Sequence, residues 1–186
     1  MPKILEDIQE RILDAVRERI AGEGWNAVNI RTLAKRCGIA SGTIYNYYPS
    51  REAILAAVIS RDWEKAEESI LAFFSGSTAD PEADAVDKLR FLHGVLSAFM
   101  GVYRMVWAES PGHLSGRAWE RGGKEKEGFR LRMEEFVRLV LSGIQAAEGI
   151  DGDFLVSFIA RSVIDWSGED DFDFSRMEPV ITALLA

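Results

Sequence analysis

Cysteine is almost absent from this chain. Cys37 is the single one in 186 residues, which excludes an intrachain disulfide framework. Histidine is nearly as scarce. His93 and His113 are the two present, and neither stands in a metal-ligand spacing such as H-x-x-x-H with a nearby carboxylate. No glycine-rich phosphate loop and no G-x-S-x-G turn occurs. The expectation is therefore no metal site, no cofactor and no enzymatic activity. No apolar run approaches the ~18 residues needed to span a bilayer, and the N-terminus has no basic-plus-apolar leader. The expectation is a cytoplasmic protein without a membrane partner. Alternating strand patterns and repeats of 20–50 residues are also missing. The chain is 47% hydrophobic, enough to support a packed core, and the fold class expected is all-α.

The longest stretch without acidic residues is also a basic one. The whole chain has 22 Lys+Arg against 30 Asp+Glu, a net charge of -8. Between Gly24 and Arg51, however, stand Arg31, Lys35, Arg36 and Arg51 with no Asp or Glu. An acidic protein that keeps one acid-free, basic window is not a general polyanion binder. Such a window reads as a local docking surface for phosphate, with the remaining acidity repelling DNA elsewhere.

The same window carries two short amphipathic segments. Ile30, Leu33 and Ala34 share one helical face, and Ile44 and Tyr48 recur at i, i+4. Gly38 falls where the first helix ends, in a left-handed turn that costs glycine least. Asn29 suits the N-cap of that helix and Ser50 the N-cap of the next long one. Two short helices around a tight glycine turn make a helix-turn-helix, whose second helix can lie in a DNA major groove. The face left over carries Ser41, Thr43, Tyr45, Asn46 and Tyr47, which suit phosphate oxygens, base edges and thymine methyls. A helical hairpin with a merely solvated polar face is the plain alternative. Cys37 reads most simply as a small buried hydrophobe, the alternative being a redox sensor activated by Lys35 and Arg36.

The run Gly42-Thr43-Ile44-Tyr45-Asn46-Tyr47-Tyr48, followed by Pro49-Ser50-Arg51-Glu52, resembles the DNA-binding signature of TetR-type (TetR/AcrR) bacterial transcriptional regulators. The resemblance covers about the first third of the chain. Tyr48 stands where the family usually has Phe, Arg51 where it has Lys, and Ala40 where it often has a capping Ser. What the resemblance implies is a three-helix DNA-binding head over residues 1–50, joined by a long helix to a helical effector-binding and dimerisation body over 51–186, about nine helices in all. The DNA-contacting residues implied are Arg31, Lys35, Ser41, Gly42, Thr43, Tyr45, Asn46, Tyr47 and Arg51.

Around this window the periodicity predicts a helix over 4–21 ended by Gly22 and Gly24, one from Arg51 to about Phe74, and one over 82–108. A short helix near Leu114–Arg121, a helix over about Lys124–Glu148, and two more at Asp151–Trp166 and Ser175–Leu185 follow. One small head makes too few base contacts for selective binding against a genome, so two heads on a palindromic operator are needed. The resemblance implies a homodimer formed by the last two helices. Its interface candidates are Phe154, Phe158, Val163, Met177, Val180, Ile181 and Leu184, and the apolar run before Ala186 argues for a covering partner. A small-molecule effector, apolar or aromatic, would be enclosed by Trp63, Phe91, Phe99, Met100, Tyr103, Trp107, Phe129, Met133 and Trp166. Each of these is equally an ordinary core residue. The function expected is an operator-binding repressor released by its ligand. The alternative is a small-molecule-binding helical protein or an enzyme without operator binding.

Overall fold

The computed structural model describes residues 3–76, 80–109, 123–169 and 171–185, with side chains described outside 3–7, 107–109 and 123–126. Among the described residues there are eight α-helices and no strand: α1 Lys3–Glu23, α2 Ile30–Cys37, α3 Ser41–Tyr47, α4 Arg51–Phe74, α5 Pro81–Glu109, α6 Gly123–Val140, α7 Gly152–Ser167 and α8 Glu178–Leu185. Single 3-10 turns precede α2 at Trp25–Ala27 and α8 at Phe174–Arg176. The helix expected near Leu114–Arg121 lies outside the described residues. No described helix is long and apolar enough to cross a membrane.

The chain forms two compact units, Met1–Lys65 with Val102–Ser115, and Ala66–Gly101 with Gly116–Ala186. The first unit thus includes the start of α4 beyond residue 50. Ile54, Leu55 and Val58 of α4, with Tyr103 and Val106 of α5, are fully buried in that unit. They complete the apolar faces of α1 (Ile12, Val16, Ile20) and of the hairpin (Leu33, Ala34, Ile44). Short helices such as α2 and α3 are marginal alone, so their stability comes from this packing.

The second unit is built on Leu89, Leu92 and Leu96 of α5, Met133, Phe136 and Val137 of α6, and Leu155, Ile159 and Val163 of α7. Each such fully buried side chain contributes about 2 kcal/mol of apolar transfer free energy. Phe74 meets Phe136 edge-on with centroids 6.1 Å apart. Glu134, buried, accepts from Arg130 and from Ser157 Oγ at 2.9 Å, which satisfies a carboxylate inside the α6–α7 contact.

Three helix limits differ from the periodicity. Gly22 stays inside α1, and the break comes at Gly24, whose φ of 81° only glycine adopts readily. Helix α6 stops at Val140 rather than Glu148. Gly143 and Gly149 both take φ +85°, and Ala147 N–H turns to the Leu184 carbonyl at 2.9 Å. The apolar spacing that reaches Ile144 thus reflects a loop packed on α8. The last segment is divided into a 3-10 turn, capped by Asp173 on Ser175 N–H, and a separate α8.

Candidate nucleic-acid interface

The hairpin is set by local chemistry at each end. The Asn29 side chain accepts from the N–H groups of Arg31 and Thr32, capping α2. Gly38 closes α2 in the left-handed region at φ 66°, ψ 32°. Ile39 N–H then returns to the Ala34 carbonyl at 3.0 Å, which fixes the tight turn. Ala40 begins α3 with no side-chain cap, so the Ser usual in this motif is not replaced by Ser41. Ser50 Oγ accepts from Ala53 N–H at 3.1 Å and caps α4. The guanidinium of Arg11 donates to the Cys37 carbonyl at 2.8 Å and so ties α1 to the end of α2.

This scaffold sorts the α3 side chains. Ile44 is fully buried and Tyr48, just beyond, nearly so, and burial pushes the Tyr48 hydroxyl up from its ordinary value. Gly42, Tyr45 and Asn46 are exposed, while Ser41, Thr43 and Tyr47 are half-buried. Tyr45, at 52% exposure, is a large ring facing solvent beside an amide. On α2, Leu33, Ala34 and Cys37 are buried and Arg31, Thr32, Lys35 and Arg36 are exposed. The exposed residues of α2 and α3 therefore include cations, an aromatic face and a bidentate amide, the set that contacts phosphates and base edges.

The four basic residues of the window are not equivalent. Arg31 and Lys35 have no carboxylate partner among the described residues. Arg36 pairs with Glu18 of α1, both side chains more than half exposed. Arg51, also expected to contact DNA, is half-buried against Trp25. Its guanidinium carbon lies 4.1 Å from the Trp25 ring centroid and it donates to the Trp25 carbonyl. Cys37 is buried, and burial raises its thiol above the ordinary value despite Arg11 and Arg36. That environment suits a packing residue rather than a reactive thiolate.

A second cluster in the same unit escaped the sequence reading. Asp62 of α4 accepts from Arg17 Nε of α1 at 2.7 Å, from Arg61 at 3.1 Å and from the Tyr103 hydroxyl of α5 at 2.8 Å. Arg61, only 8% exposed, also reaches Asp14 at 2.8 Å and Glu10 at 3.1 Å on α1. The signal was available. The α4 stripe Ile54, Val58 runs on at i+3 into Arg61, a charge where the core face continues, and such a charge needs partners.

Residues 12–58 match the model of the family described as bacterial regulatory proteins, tetR family, which is the segment holding α2, the glycine turn and α3. Over this segment the chain is similar to the tetR family. The HTH-type transcriptional regulator UidR of Escherichia coli strain K12 is 38% identical over 56 residues, 30% of this chain and 29% of UidR. The HTH-type transcriptional repressor KstR of Mycolicibacterium smegmatis is 31% identical over 93 residues, 50% of this chain and 43% of KstR. The chain thus spans less than half the length of these relatives. A crystal structure of the transcriptional regulator FadR from Bacillus subtilis in complex with stearoyl-CoA has the same fold, with a TM-score of 0.58 over 95% of this chain and 96% of that one, at 18% identity.

The residues expected around an effector fall in both units. Tyr103 is fully buried in the first unit, with its hydroxyl committed to Asp62, and Met133 is fully buried in the second. Both are core residues, because each fills a helix-packing position. Phe91 stacks on Phe73 at 4.1 Å and lines an open groove of about 670 Å³ with Arg90, Gly94 and Ala98. Trp166 stacks on Phe172 at 5.0 Å. Trp63, Phe99, Met100 and Phe129 are half-buried, and the side chain of Trp107, like His113, lies outside the described residues.

The interface candidates divide similarly. Phe154 at 65%, Phe158 at 41% and Val180 at 44% are exposed, and Met177 and Leu184 are half-buried. Val163 and Ile181, also expected at the interface, are buried within the chain itself, at 0% and 1% exposure.

Proposed function

We propose that this protein is a sequence-specific transcriptional regulator, a homodimer that represses from a palindromic operator and is released by a small apolar or aromatic ligand. The observation that carries the reading is the exposed α3 face of Tyr45 and Asn46, in an acid-free window where Arg31 and Lys35 stand exposed. Arg31 and Lys35 would neutralise phosphates while Asn46 and Tyr45, with Tyr47, reach base edges. Ser41, Gly42 and Thr43 would bring the start of α3 against the backbone. Two heads are required for selectivity, and the exposed, stacked pair Phe154 and Phe158 on α7, 6.2 Å apart, supplies an apolar face for a second copy. The repressor name of KstR and the acyl-CoA bound by FadR support the repressive direction and an apolar effector. No catalytic step is assigned to the chain, and the compartment proposed is the cytoplasm.

The test is selection from a random duplex library, followed by competition against bulk DNA. A short two-fold-symmetric duplex should be enriched and bound by a dimer, with affinity falling steeply with salt. An apolar compound that raises the melting temperature should also release that duplex, and the duplex should weaken the compound's binding by the same factor. If no sequence outcompetes bulk DNA, the regulator reading fails.

A further inference from the structure

The base of the helix-turn-helix is closed by a single side chain. Trp25 precedes α2 in the 3-10 turn, and Arg51 opens α4 just after α3. The Arg51 guanidinium carbon lies over the Trp25 ring, 4.1 Å from its centroid, and the group donates to the Trp25 carbonyl. Trp25 itself is buried at 5% exposure, and Arg51 Nε is buried with no hydrogen-bond acceptor. A guanidinium in this state is already desolvated on one side and held by an aromatic face. To reach a phosphate it would have to give up the ring and the carbonyl together. Arg31, exposed in the first turn of α2, has no such commitment.

We propose that Arg51 is a positioning residue that clamps the two ends of the hairpin through Trp25, and that the head's phosphate contacts rest on Arg31 and Lys35. The proposal rests on the DNA-binding reading for its consequence and on Trp25–Arg51 geometry for its cause. The clamp fixes the stretch entering α2 to the start of α4, 26 positions on, so the intervening hairpin is held at both ends. Loosening it leaves every DNA-facing side chain in place chemically but not in orientation. A lysine cannot substitute, since an ammonium lacks the planar surface that covers the ring.

Two measurements on the full-length protein decide the matter. The first follows Kd for the best selected duplex across salt concentrations in wild type, Arg31→Gln, Arg51→Gln, Arg51→Lys and Trp25→Phe. Arg31→Gln should reduce the log–log salt slope by about 1 per head. Arg51→Gln and Trp25→Phe should each weaken binding roughly tenfold with the slope unchanged, and Arg51→Lys should not restore affinity. The second is amide hydrogen exchange over residues 30–47 in the free protein, which should quicken in Arg51→Gln and not in Arg31→Gln. A slope that falls in Arg51→Gln as in Arg31→Gln, with wild-type affinity in Arg51→Lys, overturns the proposal. So does unchanged exchange in Arg51→Gln. If wild type selects no duplex, the DNA-binding reading falls, and the exchange experiment still decides the clamp.

Discussion

The hydroxyl of Tyr103 donates to Asp62 Oδ2 across 2.8 Å, joining α5 to α4 in the core of the first unit. The same carboxylate holds Arg17 and Arg61, so three helices meet at one acidic group. Burial first, and then Asp62, pushes the Tyr103 hydroxyl far above its ordinary value, so it stays a donor at every physiological pH. Tyr103→Phe removes one donor and leaves Asp62 two cations, so it should cost about 1 kcal/mol. Asp62→Asn strips a partner from nearly buried Arg61 and should cost about 3 kcal/mol. Urea melts of the two variants check the order. Equal, negligible losses would mean that the cluster is solvated in solution.

Gly38 sits at φ 66° with open space where a Cβ would project. Gly38→Ala therefore meets no clash and isolates the backbone cost of a left-handed turn, about 1–2 kcal/mol. Gly38→Asn should cost less, since Asn tolerates that region. Thermal unfolding of the two variants gives the comparison, and an Ala variant as stable as wild type would show that the turn relaxes.

His93 is buried beside Phe172 and Phe174, with ring centroids 5.4 and 5.3 Å away. Ser97 Oγ lies 3.3 Å from its Nε2. Burial lowers its pKa from 6.5, and a hydrogen bond to the Trp166 backbone opposes that only in part. With the folded value depressed, the unfolded chain takes up the proton first. His93 thus contributes its stability in full above about pH 6.5, and the contribution is lost as pH falls from there through its lower folded value. Melting temperature measured from pH 8 to 5, in a His113→Gln background, should begin to fall below pH 6.5. His93→Gln should flatten that part of the curve, and an unchanged curve would place the proton uptake elsewhere.

Phe154→Glu with Phe158→Glu should convert a dimer into a folded monomer, because both rings are exposed in the single chain and neither supports its core. Val163→Glu, by contrast, should unfold the chain, since Val163 is fully buried. Sedimentation velocity with circular dichroism separates the outcomes. A dimer that survives both phenylalanine substitutions would move the interface to another face.

The head was legible because its determinants are local. Asn29, Gly38 and Ser50 each act within a few residues of themselves, and their capping and turn chemistry is written in residue type. The alternation of buried Ile44 with exposed Tyr45 and Asn46 is a matter of helical period alone. The body was less legible, since apolar period cannot tell core from free face. Ile181 and Val180 are neighbours on α8, yet one is buried and the other is 44% exposed. Long-range polar partners left still less trace. Arg51 and Trp25 stand 26 positions apart, as do Arg11 and Cys37, and nothing in either residue's surroundings in sequence announces its partner. The over-long α6 had a similar origin, because its apolar spacing continues past the point where Gly143 turns the chain.

The central claim is that the exposed face of α3 reads bases. The most direct test sequences the duplexes enriched from one random library by wild type and by Asn46→Ala. The account predicts a two-fold-symmetric motif for wild type. For Asn46→Ala it predicts relaxed preference at symmetry-related positions of that motif, with ~1–3 kcal/mol lost on the best site. Identical preference profiles, or no enriched motif from wild type, would contradict it.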